Sequence, residues 1–195
     1  MKKIITFFIF LLLQTSILNA DSSNEIKRII VGNKQAKITI IAYESLTCSH
    51  CANFHKDVYP ELKKDYLDTG LAKIEFRHFP LDIAAFNASK VSQCNNDGDS
   101  KILNSLYANQ QKWVKGSSVQ EANENLKKFL VSEGYNVDFE KCINDKEIED
   151  FVLNDRIDAV KKFKISSTPT IIINDKKFEK SLNYKNLKKA LEKLI

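Results

Sequence analysis

The sequence has no apolar run long enough to cross a bilayer, which takes roughly 20 residues. Its longest largely apolar run, Ile4 to Leu13, falls well short. A phosphate-binding glycine loop, a nucleophile elbow and a carboxylate pair at a recognisable catalytic spacing are also missing, which excludes the usual nucleotide, acyl-transfer and glycosidase sites. With only five glycines and three prolines there is no flexible linker, and no internal repeat or low-complexity tract is visible. Nor is there a sustained basic run: Lys161-Lys162-Phe163-Lys164 and Lys188-Lys189 are short, and most lysines alternate with acids. That pattern describes a solvated surface and argues against nucleic acid as a partner.

What is present begins with a targeting pattern. Lys2 and Lys3 precede the apolar run, and a polar stretch ending at Ala20 follows it, as in a secretory signal peptide. Residues 1–20 are read as that signal, cleaved after Ala20 although Leu18 stands where a small residue is commonest. An uncleaved N-terminal anchor is the alternative. Removal leaves residues 21–195, a soluble chain of 175 residues, which is one domain with enough chain to bury a core. Formal charge falls by the two charges of Lys2 and Lys3, from +5 to +3.

Four cysteines, Cys48, Cys51, Cys94 and Cys142, remain in a compartment where disulfides persist. Three pairings are formally possible. Cys48 and Cys51, with two residues between them at a helix start, can pair with little backbone movement, which leaves Cys94 for Cys142.

Periodicity places the elements. Lys37 to Tyr43 is a β-branched, mostly apolar run that reads as a buried strand. After Cys48, the residues Phe54, Val58, Leu62 and Tyr66 recur every fourth position and mark one face of a helix, which Pro60 should bend and Gly70 should close. Ala72 to Phe79 alternates as a second strand ending at Pro80, so the unit is a parallel strand–helix–strand. From about 82 to 163 there are helical stretches and no convincing strand, an inserted helical layer whose last helix carries Ile148, Phe151, Val152, Ala159 and Phe163 on one face. Ser166 to Pro169 interrupts the helices. Thr170 to Ile173 restarts a strand, a short strand near Phe178 pairs back, and Tyr184, Leu187, Leu191 and Leu194 are spaced for a final amphipathic helix. Trp113 is read as core or a surface plug, His55 as lying on the exposed or partly packed side of its helix and His78 on a strand face, with no catalytic role for either histidine.

The chemistry concentrates in Cys48-Ser49-His50-Cys51. A cysteine at a helix start faces unpaired N–H groups and the positive end of the helix dipole, both of which favour a thiolate. Cys48 is therefore the expected nucleophile, with His50 adding a hydrogen bond or charge, and Cys51, one turn further in, the resolving thiol. A fall in the Cys48 pKa from about 8.5 to about 4.5 would stabilise the reduced form by roughly 3.4 kcal/mol at pH 7, about 70 mV for two electrons. Stabilising the reduced form makes the disulfide a stronger oxidant. A zinc site from Cys48, His50, Cys51 and His55 is the competing reading, but Cys94 and Cys142 stand alone and no second ligand pair exists. A purely structural pair of staples is another, for which a chain of this size has little need.

These residues resemble the DsbA branch of the thioredoxin-like superfamily. The likeness covers nearly all of the mature chain: Tyr43 to Cys51, Phe76-Arg77-His78-Phe79-Pro80-Leu81, the helical insertion, and Ser167-Thr168-Pro169-Thr170. It implies an α/β thioredoxin fold with an inserted helical domain and dithiol–disulfide exchange with unfolded exported proteins. No cofactor or metal beyond the redox-active Cys48–Cys51 disulfide is implied. It further implies a cis Thr168–Pro169 bond beside the active site, substrate pairing with the Thr168 backbone, and a structural Cys94–Cys142 disulfide. Ser49 replaces a proline common in oxidases of the branch, and Thr168 replaces a valine; both positions tune redox balance. Ala42 replaces a buried acid found in many relatives, a role Glu44 could take if its strand runs that far.

The expectation is an exported, periplasmic oxidase acting on folding proteins and reoxidised by a DsbB-like membrane partner. A monomer is favoured because the first core strand follows the signal almost at once. An isomerase or reductase using the same cysteines, and a non-catalytic secreted chaperone or binding domain, are the alternatives.

Overall fold

The computed structural model describes residues 25–195; the expected signal peptide lies outside them. A five-stranded sheet has the order β1-β3-β2-β4-β5, formed by β1 (Ile29–Gly32), β2 (Ile38–Glu44), β3 (Ala72–His78), β4 (Thr170–Ile173) and β5 (Lys176–Lys177). β2 and β3 are parallel; β1 on β3, β4 on β2 and β5 on β4 are antiparallel.

The central strand β2 is mostly apolar, with Thr39 and Glu44 its polar residues, because both its faces are covered. Ile40 and Ala42 join Ile74 and Phe76 in a core with Phe54, Leu62, Leu106 and Leu187. Ile41 and Tyr43 face the other way, against Ile172, Ala159 and Ile165. β3 alternates buried and half-buried residues along its whole length, as its sequence pattern predicts.

Between β2 and β3 the predicted helix is divided rather than simply bent. α1 (Ser49–Asp57) ends where Val58 leaves helical geometry, with φ −120°, and α2 (Tyr59–Leu62) carries Pro60 in its first turn. A proline there has no N–H to donate backwards, so the break falls just before it. A π-helical turn, Lys63–Leu67, follows. Phe54, Val58, Leu62 and Tyr66 are all buried, as their spacing required.

The insertion holds α3 (Ile83–Gln93), α4 (Lys101–Ala108), α5 (Gln110–Trp113), α6 (Val119–Ser132), α7 (Phe139–Asn144) and α8 (Lys146–Phe163), with no strand among them. Trp113 is core, 1% exposed, and its indole N–H donates to the Leu106 carbonyl at 2.9 Å. On α8, Ile148, Val152 and Ala159 are buried while Phe151 and Phe163 are only half-buried. The same buried face contains Asp155, which accepts from Arg28 at 2.7 Å and from the His78 backbone N–H at 3.1 Å. α9 (Tyr184–Leu191) closes the chain on Leu187 and Leu191. Leu194, expected on that buried face, lies beyond the helix and is 46% exposed.

Strand β1 was not anticipated. Its closing residue, Gly32, has φ +101°, and a Cβ there would stand 2.5 Å from the Ala72 carbonyl oxygen, so only glycine fits this approach of β1 to β3.

Candidate active site

Cys48 is the N-cap of α1, and its carbonyl accepts from the N–H groups of Cys51 and Ala52. Cys51 is fully buried and Cys48 half-buried; both are free thiols, the dithiol state of the pair. The loop before them is closely tied. Cys48 N–H donates to Ser45 O at 3.0 Å, and the Thr47 hydroxyl donates to Asp82 at 2.7 Å. Asp82 in turn caps α3 by accepting from Ala85 N–H. From the far side, the Gln110 side-chain amide donates to Leu46 O at 2.7 Å and Cys48 O at 3.0 Å.

Thr168–Pro169 is cis, as the resemblance implied. Cys48 Sγ lies 3.4 Å from the Thr168 carbonyl oxygen, across 120 residues of sequence. The other proposed site residues, Ser49 and His50, are exposed on the first turn of α1. Cys94, at the end of α3, is disulfide-bonded to Cys142 on α7, with Cα atoms 5.4 Å apart; this pair braces the insertion and does not touch the thiols of α1.

The two thiols lie in opposed electrostatic settings. Cys48 is pulled down to about 5, chiefly by the hydrogen bond from Cys51; burial opposes the shift, while the Thr168 hydroxyl and the N–H groups of Cys51 and His50 reinforce it. His50 thus contributes through its backbone. Burial pushes Cys51 far up, and its bond to Cys48 and the charge of Glu44 push it in the same direction. A thiolate that attacks and a buried thiol that stays protonated are therefore one turn apart.

β2 does run to Glu44, which is 3% exposed on the Ala42 face of the sheet. Its Oε2 meets His55 Nε2 at 2.8 Å. The His55 ring stacks on Tyr107 at 4.0 Å between centroids. Sequence reading left His55, Tyr107, Asp82 and Gln110 without roles. Only His55 offered a signal, its position one turn after Cys51. Among the described residues no group of three or more His, Cys, Asp or Glu side chains could hold a metal ion.

A groove of about 560 Å³ runs beside the thiols, lined by His50, Phe54, Val58, Thr168, Pro169, Leu182 and Tyr184, among others. A parallel β–α–β unit with two thiols at the helix start, faced by a cis proline just ahead of β4, defines the thioredoxin-fold class. The chain belongs to the thioredoxin family, which matches residues 24–193, and within it to the DsbA-like branch. The crystal structure of alpha-DsbA1 from Wolbachia pipientis superposes with a TM-score of 0.76 at 30% identity, covering 88% of this chain and 92% of that one. A protein of Rickettsia bellii named putative protein-disulfide oxidoreductase is 28% identical over 170 residues, 85% of this chain and 64% of that protein. Disulfide bond formation protein D of Bacillus subtilis is 26% identical over 181 residues, 84% of this chain and 75% of that protein. The chain thus spans less than two thirds of the Rickettsia bellii relative's length.

Proposed function

We propose that this chain is an exported, periplasmic thiol–disulfide oxidoreductase that oxidises thiol pairs in folding exported proteins. The observation that carries the reading is the contrast within one helical turn: an accessible Cys48 pulled down to about 5 above a buried Cys51 pushed up. The names of the Rickettsia and Bacillus relatives support the same chemistry.

A substrate thiolate attacks Cys48 Sγ of the oxidised pair, the Cys48–Cys51 bond breaks, and Cys51 leaves with the electron pair and takes a proton. A second substrate thiolate then attacks the substrate sulfur, and Cys48 leaves as a thiolate. Its low pKa makes it a good leaving group, which drives electrons from substrate to protein. The extended substrate lies in the groove beside Thr168–Pro169 and pairs with the Thr168 backbone. A membrane partner resembling DsbB restores the disulfide, and the enzyme works as a monomer.

A Cys51→Ala variant cannot resolve and should accumulate mixed disulfides through Cys48; a folded variant that traps none would rule out exchange. Equilibration of Cys48–Cys51 with glutathione then sets the direction. An oxidase lies on the oxidising side of the glutathione couple, whereas a position on the reducing side would make the protein a reductase or isomerase.

A further inference from the structure

Glu44 closes β2, and His55 stands four residues after Cys51 on α1, so strand end and helix converge behind the reactive pair. The carboxylate and imidazole meet at 2.8 Å with side chains only 3% and 6% exposed. The other carboxylate oxygen, Oε1, is buried and bonds to nothing among the described residues. On its far side His55 lines an open groove of about 800 Å³, shared with Ala52, Tyr59, Pro60, Asn104 and Tyr107. One ring therefore touches both a buried acid near Cys51 and a space that water can fill.

We propose that His55 is the outer half of a proton shuttle for Cys51, in which Glu44 exchanges a proton with Cys51 and His55 exchanges one with water in the groove. This rests on disulfide exchange at Cys48–Cys51 and extends it. When a substrate thiolate attacks Cys48 and the Cys48–Cys51 bond breaks, Cys51 leaves with the electron pair and takes a proton from the Glu44 carboxyl. His55 steadies the new carboxylate and draws one proton from groove water. In the reverse step the Cys51 thiol gives its proton to Glu44, and His55 sheds one to the groove. The Cys51 sulfur then attacks Cys48, and the substrate sulfur leaves as a thiolate. His55 acts through Glu44 and is a positioning residue.

The surrounding groups leave this role to His55. Cys48 and Cys51 face the pair from α1, Tyr59 from α2 and Tyr107 from α4, while Lys56 and Lys63 line the groove. His78 is the register neighbour of Glu44 on β3, but its Nε2 accepts the Gln93 amide N–H at 2.8 Å. Burial pushes Tyr59 up to about 12 and Tyr107 well above its ordinary value, so both stay protonated.

The test is the rate at which glutathione reduces the oxidised protein, followed against pH in the wild type, His55→Gln, His55→Ala and Glu44→Gln. Glutamine can still donate to Glu44 but cannot titrate. His55→Gln should slow the reaction about 10- to 100-fold and remove the imidazole's contribution to the profile, leaving the limb set by ionisation of the glutathione thiol in place. Imidazole added to solution should enter the groove and restore His55→Ala but not Glu44→Gln. An unchanged rate and profile in His55→Gln would overturn the shuttle, as would a folded His55→Ala that imidazole fails to rescue. If His55→Ala does not fold, the His55→Gln profile decides alone. Absence of exchange in the wild type would instead sink the exchange reading, and the shuttle with it.

Discussion

Cys48 gains its acidity mainly from one neighbour. Because the bond from Cys51 is the largest pull on it, Cys51→Ala should raise the Cys48 pKa, an effect visible as a shift of the ultraviolet thiolate absorbance to higher pH. In the wild type that absorbance should titrate near pH 5. The sign for redox balance follows. A depressed pKa favours the reduced fold fully above the ordinary thiol pKa of about 8.5, progressively less below it, and not at all below about 5. The oxidised protein should therefore be the weaker oxidant in acid, measured as its equilibrium with glutathione corrected for the thiol ionisation of glutathione itself. At this scale the sequence was most informative, since Cys48, Cys51 and Pro169 sit in short local motifs. His55 and Gln110 were harder to read because their partners, Glu44 and the Leu46 and Cys48 carbonyls, belong to segments that only folding brings near.

The elements of the insertion do more than cover the sheet. Gln110 spans two carbonyls of the thiol loop, so Gln110→Ala takes the side-chain donor from the Leu46 carbonyl and leaves the Cys48 carbonyl only its helix N–H partners. Such a loss costs about 1–3 kcal/mol, and urea unfolding of the variant should show it in both redox states. The Cys94–Cys142 bond closes a loop of 48 residues. Replacing both cysteines with serine should lower stability by up to roughly 4 kcal/mol on the chain-entropy view, while reduction of Cys48–Cys51 by glutathione proceeds as before. Loss of that reaction in a folded double variant would overturn the purely structural role. Most elements were legible because long apolar periodicities record which face is buried: four residues at four-residue spacing gave the helical face of α1–α2, and alternation gave β3. β1 left too short a record, four residues whose place depends on pairing with β3, and Asp155 hid on an apolar face because its partners Arg28 and His78 are distant in sequence.

Across the whole molecule, the N-terminal strand, the sheet and the insertion meet at one buried polar cluster. Arg28 and the His78 backbone hold Asp155, and Gln93 holds the His78 ring. Burial, reinforced by the Arg28 charge, pulls His78 down to about 3. An unfolded histidine takes up its proton near pH 6.5, so between 6.5 and about 3 the unfolded chain binds more protons and stability falls with pH, by at most about 1.4 kcal/mol per pH unit. Asp155, pushed up chiefly by burial, acts in the opposite direction. Thermal unfolding from pH 7 to 4 should show a loss that flattens in His78→Gln; an unchanged slope would remove His78 from the acid response.

The contact between Cys48 and the Thr168 carbonyl joins positions 120 residues apart. A chain is made from its N-terminus, so Cys48 exists long before Thr168 does. Until then Cys48 has its local neighbours Cys51 and His50 but lacks the Thr168 side of its setting. The reactive thiol is thus assembled in two stages, a local one at the start of its helix and a late one when the segment ahead of β4 folds back against it.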